Sequence, residues 1–379
     1  LSTSGIAVNL AAITTGTAGF TIANTGGATT LTGSAMDDTI TGGAGDDTIT
    51  GGAGNDVLTG GAGNDTFVFA TAADLISNDS VVGGDGTADT IRIDQATAYT
   101  IGDGDSFDRI SQVAVLAQGV ASTAAISITL GTTAFKAGIR TVTLAGDTNA
   151  TGAANTLNAS AAKSDQALKL VGSAGVDSIT GGAGDDTITG GGGVDTFNIA
   201  SGTDTVTDLG NGVDVLMVSP GATANATVTA AWTATATSSN SGTANLSTSG
   251  IAVNLAAITT GTAGFTIANT GGATTLTGSA KDDTINGGTG NDTLDGGAGD
   301  DAITGGLGAD RFNITFGTDT VTDLGTGGAD VLVVSAGATV NATVTTAWAA
   351  TSASSNSGTA NLSTSGIAVN LAAITTGTA

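Results

Sequence analysis

Large apolar residues occur at every ninth position over three stretches of the chain. The first stretch begins at Ile13, the second at Leu170 and the third at Ile258. Their members are Ile13, Ile22, Leu31, Ile40, Ile49, Leu58, Phe67 and Ile76; Leu170, Ile179, Ile188, Phe197, Val206 and Val215; and Ile258, Ile267, Leu276, Ile285, Leu294, Ile303, Phe312 and Val321. A nine-residue step fits neither the 3.6-residue turn of a helix nor the two-residue alternation of a strand. It predicts a parallel solenoid in which each coil contains two short strands and two turns, with the apolar residues stacked in ladders.

The region between the first two stretches contains strand-like runs and one helix-like run. Strands are predicted at Thr90–Ile93, at 125–130 and at 139–144, where β-branched residues are frequent. Residues 106–118 predict a short helix, because several apolar side chains have helical spacing. These side chains are Phe107, Ile110, Val113, Ala114 and Ala117.

Long identical repeats run through the chain. Residues 1–35 return unchanged at 246–280, and the first eighteen of them return at 362–379. The third copy begins 116 residues after the second. This arrangement favours a window of a longer tandem-repeat polypeptide, although an artificially shortened chain would look the same.

The repeats divide the chain into seven segments. Three of them, called blocks 1 to 3, carry turns rich in Gly and Asp, and one, called the insert, has no second copy. The segments are an opening solenoid segment (1–32), block 1 (33–76), the β-rich insert (77–171), block 2 with a cap (172–219), a linker with the second copy of the opening segment (220–277), block 3 with a cap (278–335), and a linker with the start of the third copy (336–379). Because it is unrepeated, the insert is the best candidate for contacts between units.

The composition narrows the chemistry. The chain has 379 residues, 62 Gly, 1 Pro and a formal charge of −25; its 33 acidic residues are all Asp, against 8 basic ones. The absence of Cys excludes disulfides, thiolate zinc sites and a cysteine nucleophile, and the absence of His excludes a Ser-His-Asp triad. So few cations argue against nucleic-acid binding, and no apolar run is long enough to cross a bilayer. The expected partner of so much Asp is a hard cation.

The turns between the apolar positions follow one pattern. Nonamers begin at Gly42, Gly51 and Gly60 with the sequences GGAGDDTIT, GGAGNDVLT and GGAGNDTFV. Similar ones begin at Gly181, Gly190, Gly287, Gly296 and Gly305, and each block opens with a degenerate member, at Gly33, Gly172 or Gly278. These eleven nonamers resemble the GGxGxDxUx calcium-binding nonapeptide repeats of the RTX family. The resemblance implies an all-β fold, a right-handed parallel β-roll or β-helix solenoid with calcium-binding turns and tandem repeated units.

The resemblance also implies the ligands of several Ca²⁺ ions. In this family one turn supplies the carbonyls of its second and fourth residues and its Asp, and the turn one coil later supplies the carbonyls of its first and third residues and its Asp. Carried over, the ligands are Ser34, Met36, Asp38, Gly43, Gly45, Asp47, Gly51, Ala53, Asp56, Gly60, Ala62 and Asp65; Ser173, Gly175, Asp177, Gly182, Gly184, Asp186, Gly190, Gly192 and Asp195; and Ser279, Lys281, Asp283, Gly288, Gly290, Asp292, Gly296, Ala298, Asp301, Gly305, Leu307 and Asp310. Asp74, Asp204 and Asp319 keep the nine-residue phase without the glycines and are expected to close a last site in each block. Met36 and Lys281 replace a glycine, which predicts weaker outermost sites.

Each of these features has an alternative interpretation. The Gly-Asn-Asp turns could be Asx turns that need no ion, but stacked aspartates without a cation would repel one another. Trp232 and Trp348, equivalent in two repeats, could form a carbohydrate platform or, as we expect, be buried caps. Asp46 and Asp47 could be a hydrolytic carboxylate pair, but their place in the nonamer favours a ligand or turn role.

The expected function is that of a secreted, non-enzymatic structural protein of the bacterial cell surface. The family resemblance implies type I secretion with folding in extracellular calcium, and the chain resembles RTX-containing surface-layer and surface-fibril proteins. The expected partner is another copy of the chain, with a cell-surface polysaccharide as a further candidate and neither nucleic acid nor membrane insertion. The alternatives are the stalk of a giant RTX adhesin and the RTX portion of a secreted enzyme or toxin.

Overall fold

A computed structural model of the chain describes residues 1–76, 78–102 and 107–377. The chain forms two compact units, Leu1–Gly193 (unit 1) and Val194–Ala379 (unit 2), which are described separately. In both, the regular secondary structure of the described residues is almost entirely short strands. No helix in the described ranges has the length and apolar character needed to cross a bilayer.

Unit 1 contains nineteen strands and two short helices in its described residues. They are β1 (Ser2–Thr3), β2 (Val8–Asn9), β3 (Thr21–Asn24), β4 (Thr30–Thr32), β5 (Thr39–Ala44), β6 (Thr48–Thr50), β7 (Val57–Ala62), β8 (Thr66–Phe69), α1 (Ala72–Ile76), β9 (Ser80–Gly84), β10 (Thr90–Ile93), β11 (Tyr99–Ile101), β12 (Ile110–Ser111), β13 (Val115–Gln118), β14 (Ile126–Thr129), α2 (Thr132–Ala137), β15 (Thr141–Thr143), β16 (Asn155–Asn158), β17 (Lys169–Val171), β18 (Asp177–Thr180) and β19 (Thr187–Thr189).

Unit 2 contains the remaining strands of the described residues. They are β20 (Thr196–Ile199), β21 (Thr203–Leu209), β22 (Val215–Val218), β23 (Thr223–Val228), β24 (Trp232–Thr233), β25 (Ser239–Asn240), β26 (Thr243–Thr248), β27 (Val253–Asn254), β28 (Phe265–Asn269), β29 (Thr275–Thr277), β30 (Thr284–Asn286), β31 (Thr293–Asp295), β32 (Ala302–Thr304), β33 (Arg311–Ile314), β34 (Thr318–Leu324), β35 (Val331–Val334), β36 (Thr339–Val344), β37 (Trp348–Ala349), β38 (Ser355–Asn356), β39 (Thr359–Ser363) and β40 (Val369–Asn370).

Strands pair with the strand one coil away rather than with their chain neighbour. In unit 1, β3, β5, β7 and β9 pair in parallel on one face, and β4, β6, β8 and β10 on another. In unit 2, β28, β30, β32, β34 and β36 do the same, as do β27, β29, β31, β33 and β35. Such pairing defines a parallel β-solenoid, which confirms the predicted fold.

The nine-residue ladders form the core. Ile22, Ile40 and Leu58 are register partners on successive coils and have no exposed surface. Leu31, Ile49 and Phe67 form the matching ladder on the next face. Each such side chain stabilises the fold by roughly 1.5–3 kcal/mol relative to full exposure. The solenoid therefore depends on side chains that stack on near copies of themselves.

The ladder deviates from the predicted positions in two places. Leu216, not Val215, is the register partner of Phe197, and Val215 is only half-buried. The coil from Asp195 to Asp214 has one residue more than eighteen, so the inward position moves by one. In unit 1, Val81 stacks on Leu58; the side chain of Ile76 lies outside the described part of the structure.

The insert continues the solenoid of unit 1. β10 pairs with β8 on one side and β13 on the other, and β15 and β17 extend the same sheet. The strands predicted at Thr90–Ile93, 125–130 and 139–144 are confirmed as β10, β14 and β15. The insert is thus a set of coils whose turns have diverged.

The helix predicted at 106–118 is wrong. Residues 103–106 lie outside the described ranges, and the rest contains β12 and β13. In β13 the side chains alternate between half-buried and buried, so Leu116 and Gln118 point inward as a strand requires. Two helices that the sequence did not predict, α1 and α2, are five and six residues long.

The two tryptophans are buried, as expected, but they do not cap the solenoid. Trp232 is 1 % exposed and its strand pairs in parallel with β27, so a further coil covers it. Trp348 pairs with Val369 in the equivalent way. The indole N–H groups of Trp232 and Trp348 each donate a 3.0 Å hydrogen bond to a backbone carbonyl, that of Asp214 and Asp330 respectively.

Candidate metal centre

The turns of blocks 1 and 3 owe their shape to glycine. The second and fourth residues of the nonamer have left-handed backbone angles, with φ of 104° at Gly43 and 91° at Gly45. Residues with a Cβ rarely adopt this conformation. Successive turns of this kind stack on one another, as the register pair of Gly43 and Gly61 shows.

The sixth residue of each nonamer in block 1 is a buried aspartate that joins two coils. Asp38, Asp47, Asp56 and Asp65 are at most 1 % exposed. Oδ1 of Asp56 accepts the backbone N–H of Asp38 at 2.7 Å, and Oδ1 of Asp65 accepts that of Asp47 at 2.8 Å. In unit 2, Asp301 and Asp319 do the same for the residues one coil earlier. We call each such series an aspartate column.

The other carboxylate oxygen of many column members has no hydrogen-bond partner. This holds for Oδ2 of Asp47, Asp56, Asp65, Asp89, Asp292, Asp301, Asp310 and Asp319. Burying an unpaired carboxylate oxygen is strongly unfavourable. The recurrence of these orphan oxygens in register indicates a role in binding positive charge rather than a packing error.

The same burial raises the pKa of the column carboxyls. Desolvation, followed by the charges of neighbouring aspartates, raises the pKa of Asp56 and of Asp301 to about 7. The pKa of Asp65, Asp292 and Asp319 rises to about 6 for the same first reason. A divalent cation among these groups would stabilise their ionised form and offset the repulsion.

Carbonyl oxygens of the next coil lie beside the orphan oxygens. A Cβ on Gly42 would lie 2.5 Å from Asp47 Oδ2 and 2.5 Å from the Gly60 carbonyl oxygen. A Cβ on Gly287 would lie 2.6 Å from the Gly305 carbonyl oxygen and 2.7 Å from Asp292 Oδ2. The first glycine of the nonamer is therefore needed for space, and its missing side chain leaves an oxygen-lined cradle.

This donor set fits calcium. Ca²⁺ takes six to eight oxygens, from carboxylates and backbone carbonyls alike. Within the described ranges no three acidic side chains group closely enough to hold a metal by themselves, so carbonyls have to complete a site. Two of the predicted ligand pairs, Asp47 with Gly60 and Asp292 with Gly305, are brought together in this way.

Other predicted carbonyl ligands also make hydrogen bonds between coils. The Ala62 and Leu307 carbonyls accept the N–H of Gly45 and of Gly290, at 2.6 and 2.7 Å. The Ser34 and Ser279 carbonyls accept the N–H of Ala53 and Ala298. The predicted ligands therefore lie at the contact between stacked turns.

The first aspartate of each block has a different environment. Asp38 Oδ2 accepts both the N–H and the hydroxyl of Ser34, at 2.5 and 3.0 Å, and Asp38 Oδ1 accepts the Phe20 N–H. Ser279 binds Asp283 in the same way, and the Ser173 N–H and hydroxyl bind Asp177 Oδ2. Met36 and Lys281 donate their N–H to the serine hydroxyls. Serine at the second position thus donates to a carboxylate oxygen that has no partner in the nonamers of blocks 1 and 3 with glycine at that position.

In block 2, too, backbone N–H groups donate hydrogen bonds to the aspartate carboxylates. Asp186 accepts the N–H of Leu168 and of Gly182, at 2.8 and 2.7 Å. The Gly192 N–H bonds to the Ser173 carbonyl, and a Cβ on Gly172 would lie beside the Gly190 carbonyl and Asp177. Gly175 donates to the Ser173 hydroxyl, and Gly184 packs against the Gln166 backbone.

The predicted closing ligands take different places. Asp74 does not join a column: it lies in α1, accepts the Thr71 N–H, and lines a cavity of about 210 Å³ with Gly51, Ala53 and Asp79. Asp79 takes the column position instead, since its Oδ1 accepts the Asp56 N–H at 2.7 Å. Asp319 does join a column, and Asp204 is buried opposite Ala224.

Sequence reasoning missed Asp79, Asp89, Asp214 and Asp330. Asp89 belongs to GGDGTADTI, a nonamer with one additional residue before its Asp. Asp214 and Asp330 accept the N–H of Asp195 and Asp310, and their second oxygens accept Gly210 and Gly325. For Asp214 and Asp330 the signal was a Gly-rich turn followed by Asp-Val-Leu at irregular spacing, and Asp79 has no glycine turn before it.

Fold and site together define a parallel β-solenoid with calcium-binding turns. A family profile described as the RTX calcium-binding nonapeptide repeat matches residues 26–67, 171–206, 270–303, 277–312 and 287–321. The chain is therefore a protein with RTX calcium-binding repeats. No curated protein matches it, and neither does any solved structure.

Proposed function

We propose that the chain is a secreted structural protein whose calcium-bound solenoid units assemble into a bacterial cell-surface layer, sheath or extracellular filament. RTX-repeat proteins are typically secreted to the extracellular space. The repeats themselves do not specify an assembly, so the assembly and its architecture are the proposed part of this function.

One observation carries the calcium-dependent part of the proposal. Buried carboxylate oxygens without partners recur along the columns of blocks 1 and 3. Without a cation the columns accumulate unfavourable charge, whereas calcium that binds only the folded chain stabilises it further with each tenfold rise in calcium above the Kd. A chain with this property folds where calcium is abundant, which suits an extracellular location.

The structural role is supported by the repeats. The same 35 residues form coils in both units, with Thr21–Asn24 and Phe265–Asn269 as equivalent strands. In each unit the strands stack along one continuous parallel sheet through the insert or the linker. Repetition of a self-stacking unit suits a polymer or a stalk more than a single catalytic site.

Negative-stain microscopy of the full chain with calcium and with a chelator tests the proposal. Ordered layers or fibres that need calcium would support assembly. Isolated threads in calcium would instead favour the adhesin stalk. Asp301→Asn, which alters an open cradle, and Asp85→Asn, which removes an exposed charge, form a matched pair: only the first should raise the calcium needed for assembly.

A further inference from the structure

We propose an additional cation site in the insert, outside the residues that match the repeat family. It lies between the turn at 83–89 and the following turn at Gln112, and Asp89 is its carboxylate ligand. The cation is of the hard divalent class, with calcium as the expected ion. The site extends calcium dependence into the insert and does not depend on the assembly part of the proposed function.

Asp89 has an orphan oxygen. Its side chain is 1 % exposed, and Oδ1 accepts the Asp65 N–H at 2.8 Å. Oδ2 has no hydrogen-bond partner. Asp330 holds the same column position in unit 2, but its Oδ2 accepts the Gly325 N–H at 2.6 Å. The two column members therefore differ in whether Oδ2 is available to bind a cation.

Oxygens from three successive coils surround Asp89. A Cβ on Gly83 would lie 2.6 Å from Asp89 Oδ2 and in contact with the Gln112 carbonyl oxygen. A Cβ on Gly86 would lie 2.7 Å from Asp89 Oδ2 and in contact with the Gly63 carbonyl oxygen. Both positions therefore require glycine, because a carbonyl oxygen of a neighbouring coil and Asp89 Oδ2 both lie where a side chain would be.

The backbone at Gln112 is strained. Its φ is 57°, in the left-handed region that residues with a Cβ rarely occupy. Such strain persists where the surroundings demand it, commonly at ligand sites. In this turn the strained residue, Gln112, is also the one whose carbonyl oxygen lies near Asp89.

There is room for an ion and water. A cleft of about 260 Å³ is bounded by Gly84, Gly86, Asp89, Gln112, Ala114 and Gly138. Water can complete the coordination of Ca²⁺. Because the Gln112 turn offers a carbonyl in place of a second aspartate, we expect weaker binding here than between two aspartate turns.

A bound ion would hold the turn at 83–89 against the next coil. β10 follows Asp89 directly, and β13, its register partner, follows Gln112. The cation would therefore stabilise the pairing of these strands, where the repeat pattern gives way to the diverged coils.

Anomalous diffraction from crystals of the full chain in calcium tests this site. The expected result is a peak within ~2.3–2.6 Å of Asp89 Oδ2 that disappears in Asp89→Asn and persists in Asp85→Asn, whose exposed side chain is in the same turn. The amide oxygen introduced by Asp89→Asn can still accept the Asp65 N–H, so the variant should fold. Peaks beside Asp47 and Asp301 with none beside Asp89 would overturn this site alone. No peak at any turn would overturn the calcium role as well.

Hydrogen exchange gives a second readout in solution. Calcium should slow exchange of the β13 amides in the wild type and in Asp85→Asn, and should slow it clearly less in Asp89→Asn. Equal protection in all three proteins would contradict the assignment.

Discussion

The contrast between Asp301 and Asp283 yields a quantitative test. Both are buried members of one column. Asp301 Oδ2 has no partner, whereas Asp283 Oδ2 accepts the N–H and the hydroxyl of Ser279, at 2.5 and 3.0 Å. Replacing each by Asn should therefore remove different interactions: a cation ligand at 301 and hydrogen bonds at 283.

The two variants should differ in how their stability depends on calcium. Above its Kd, each bound ion adds about 1.4 kcal/mol of unfolding free energy per tenfold rise in calcium. Losing one ion at Asp301 should lower that slope by about 1.4 kcal/mol per decade. Asp283→Asn loses hydrogen bonds to a charged acceptor, about 2 kcal/mol, at every calcium concentration and without a change of slope.

Urea unfolding at several calcium concentrations measures this difference. Trp232 and Trp348 are both buried in unit 2 and report its unfolding by fluorescence. Wild type and Asp283→Asn should give parallel plots of unfolding free energy against the logarithm of calcium concentration, and Asp301→Asn a shallower one. Equal slopes for all three would refute the assignment of the orphan oxygen to a cation.

Three further results are expected. Burial raises the pKa of Asp56 and Asp301 to about 7, so without a cation these carboxyls favour folding at low pH, and that contribution is lost as pH rises through the raised pKa. Circular dichroism in chelator should therefore show more β-structure at about pH 5 than at about pH 8. The reverse order would mean that burial does not raise these pKa values. Gly296→Ala should lower calcium affinity in a titration, because its Cβ would meet Asp301 Oδ2, whereas Gly272→Ala, which has open space, should not; equal affinities would show that the cradle is not the binding site. Trp348→Phe removes the donor to the buried Asp330 carbonyl and should destabilise unit 2 by roughly 1–3 kcal/mol with no loss of bound calcium, so a reduced ion count by equilibrium dialysis would contradict its structural role.

The sequence predicted the solenoid because one periodicity sets both core and turns. The nine-residue step places Ile22, Ile40 and Leu58 on one ladder, and all three are fully buried. The prediction fails where a coil changes length, since one additional residue before Asp214 moves Leu216 inward in place of Val215. Periodicity cannot place a residue beyond an insertion.

The site was harder to predict because coils also change length there, and because the hydrogen bonds of each carboxylate cannot be read from the repeat pattern. Asp74 lies in helix α1 and not in the column, so Asp79 takes the expected place, and the additional residue in its turn moves Asp89 out of the nine-residue phase. Whether a carboxylate is open to a cation depends on local donors such as the Ser34 hydroxyl. The nonamer pattern shows where carboxylates lie, and only the hydrogen bonds show which oxygens remain unpaired.

Cations between stacked turns are expected to neutralise the aspartate columns and hold the solenoid together. Far-UV circular dichroism of the full chain at about pH 8, above the raised pKa values of the columns, tests it most directly, in chelator and then with calcium restored. Chelation is expected to remove most of the β-signal, and added calcium to restore it. An unchanged spectrum with an unchanged cooperative melt in chelator would show that the solenoid does not need cations.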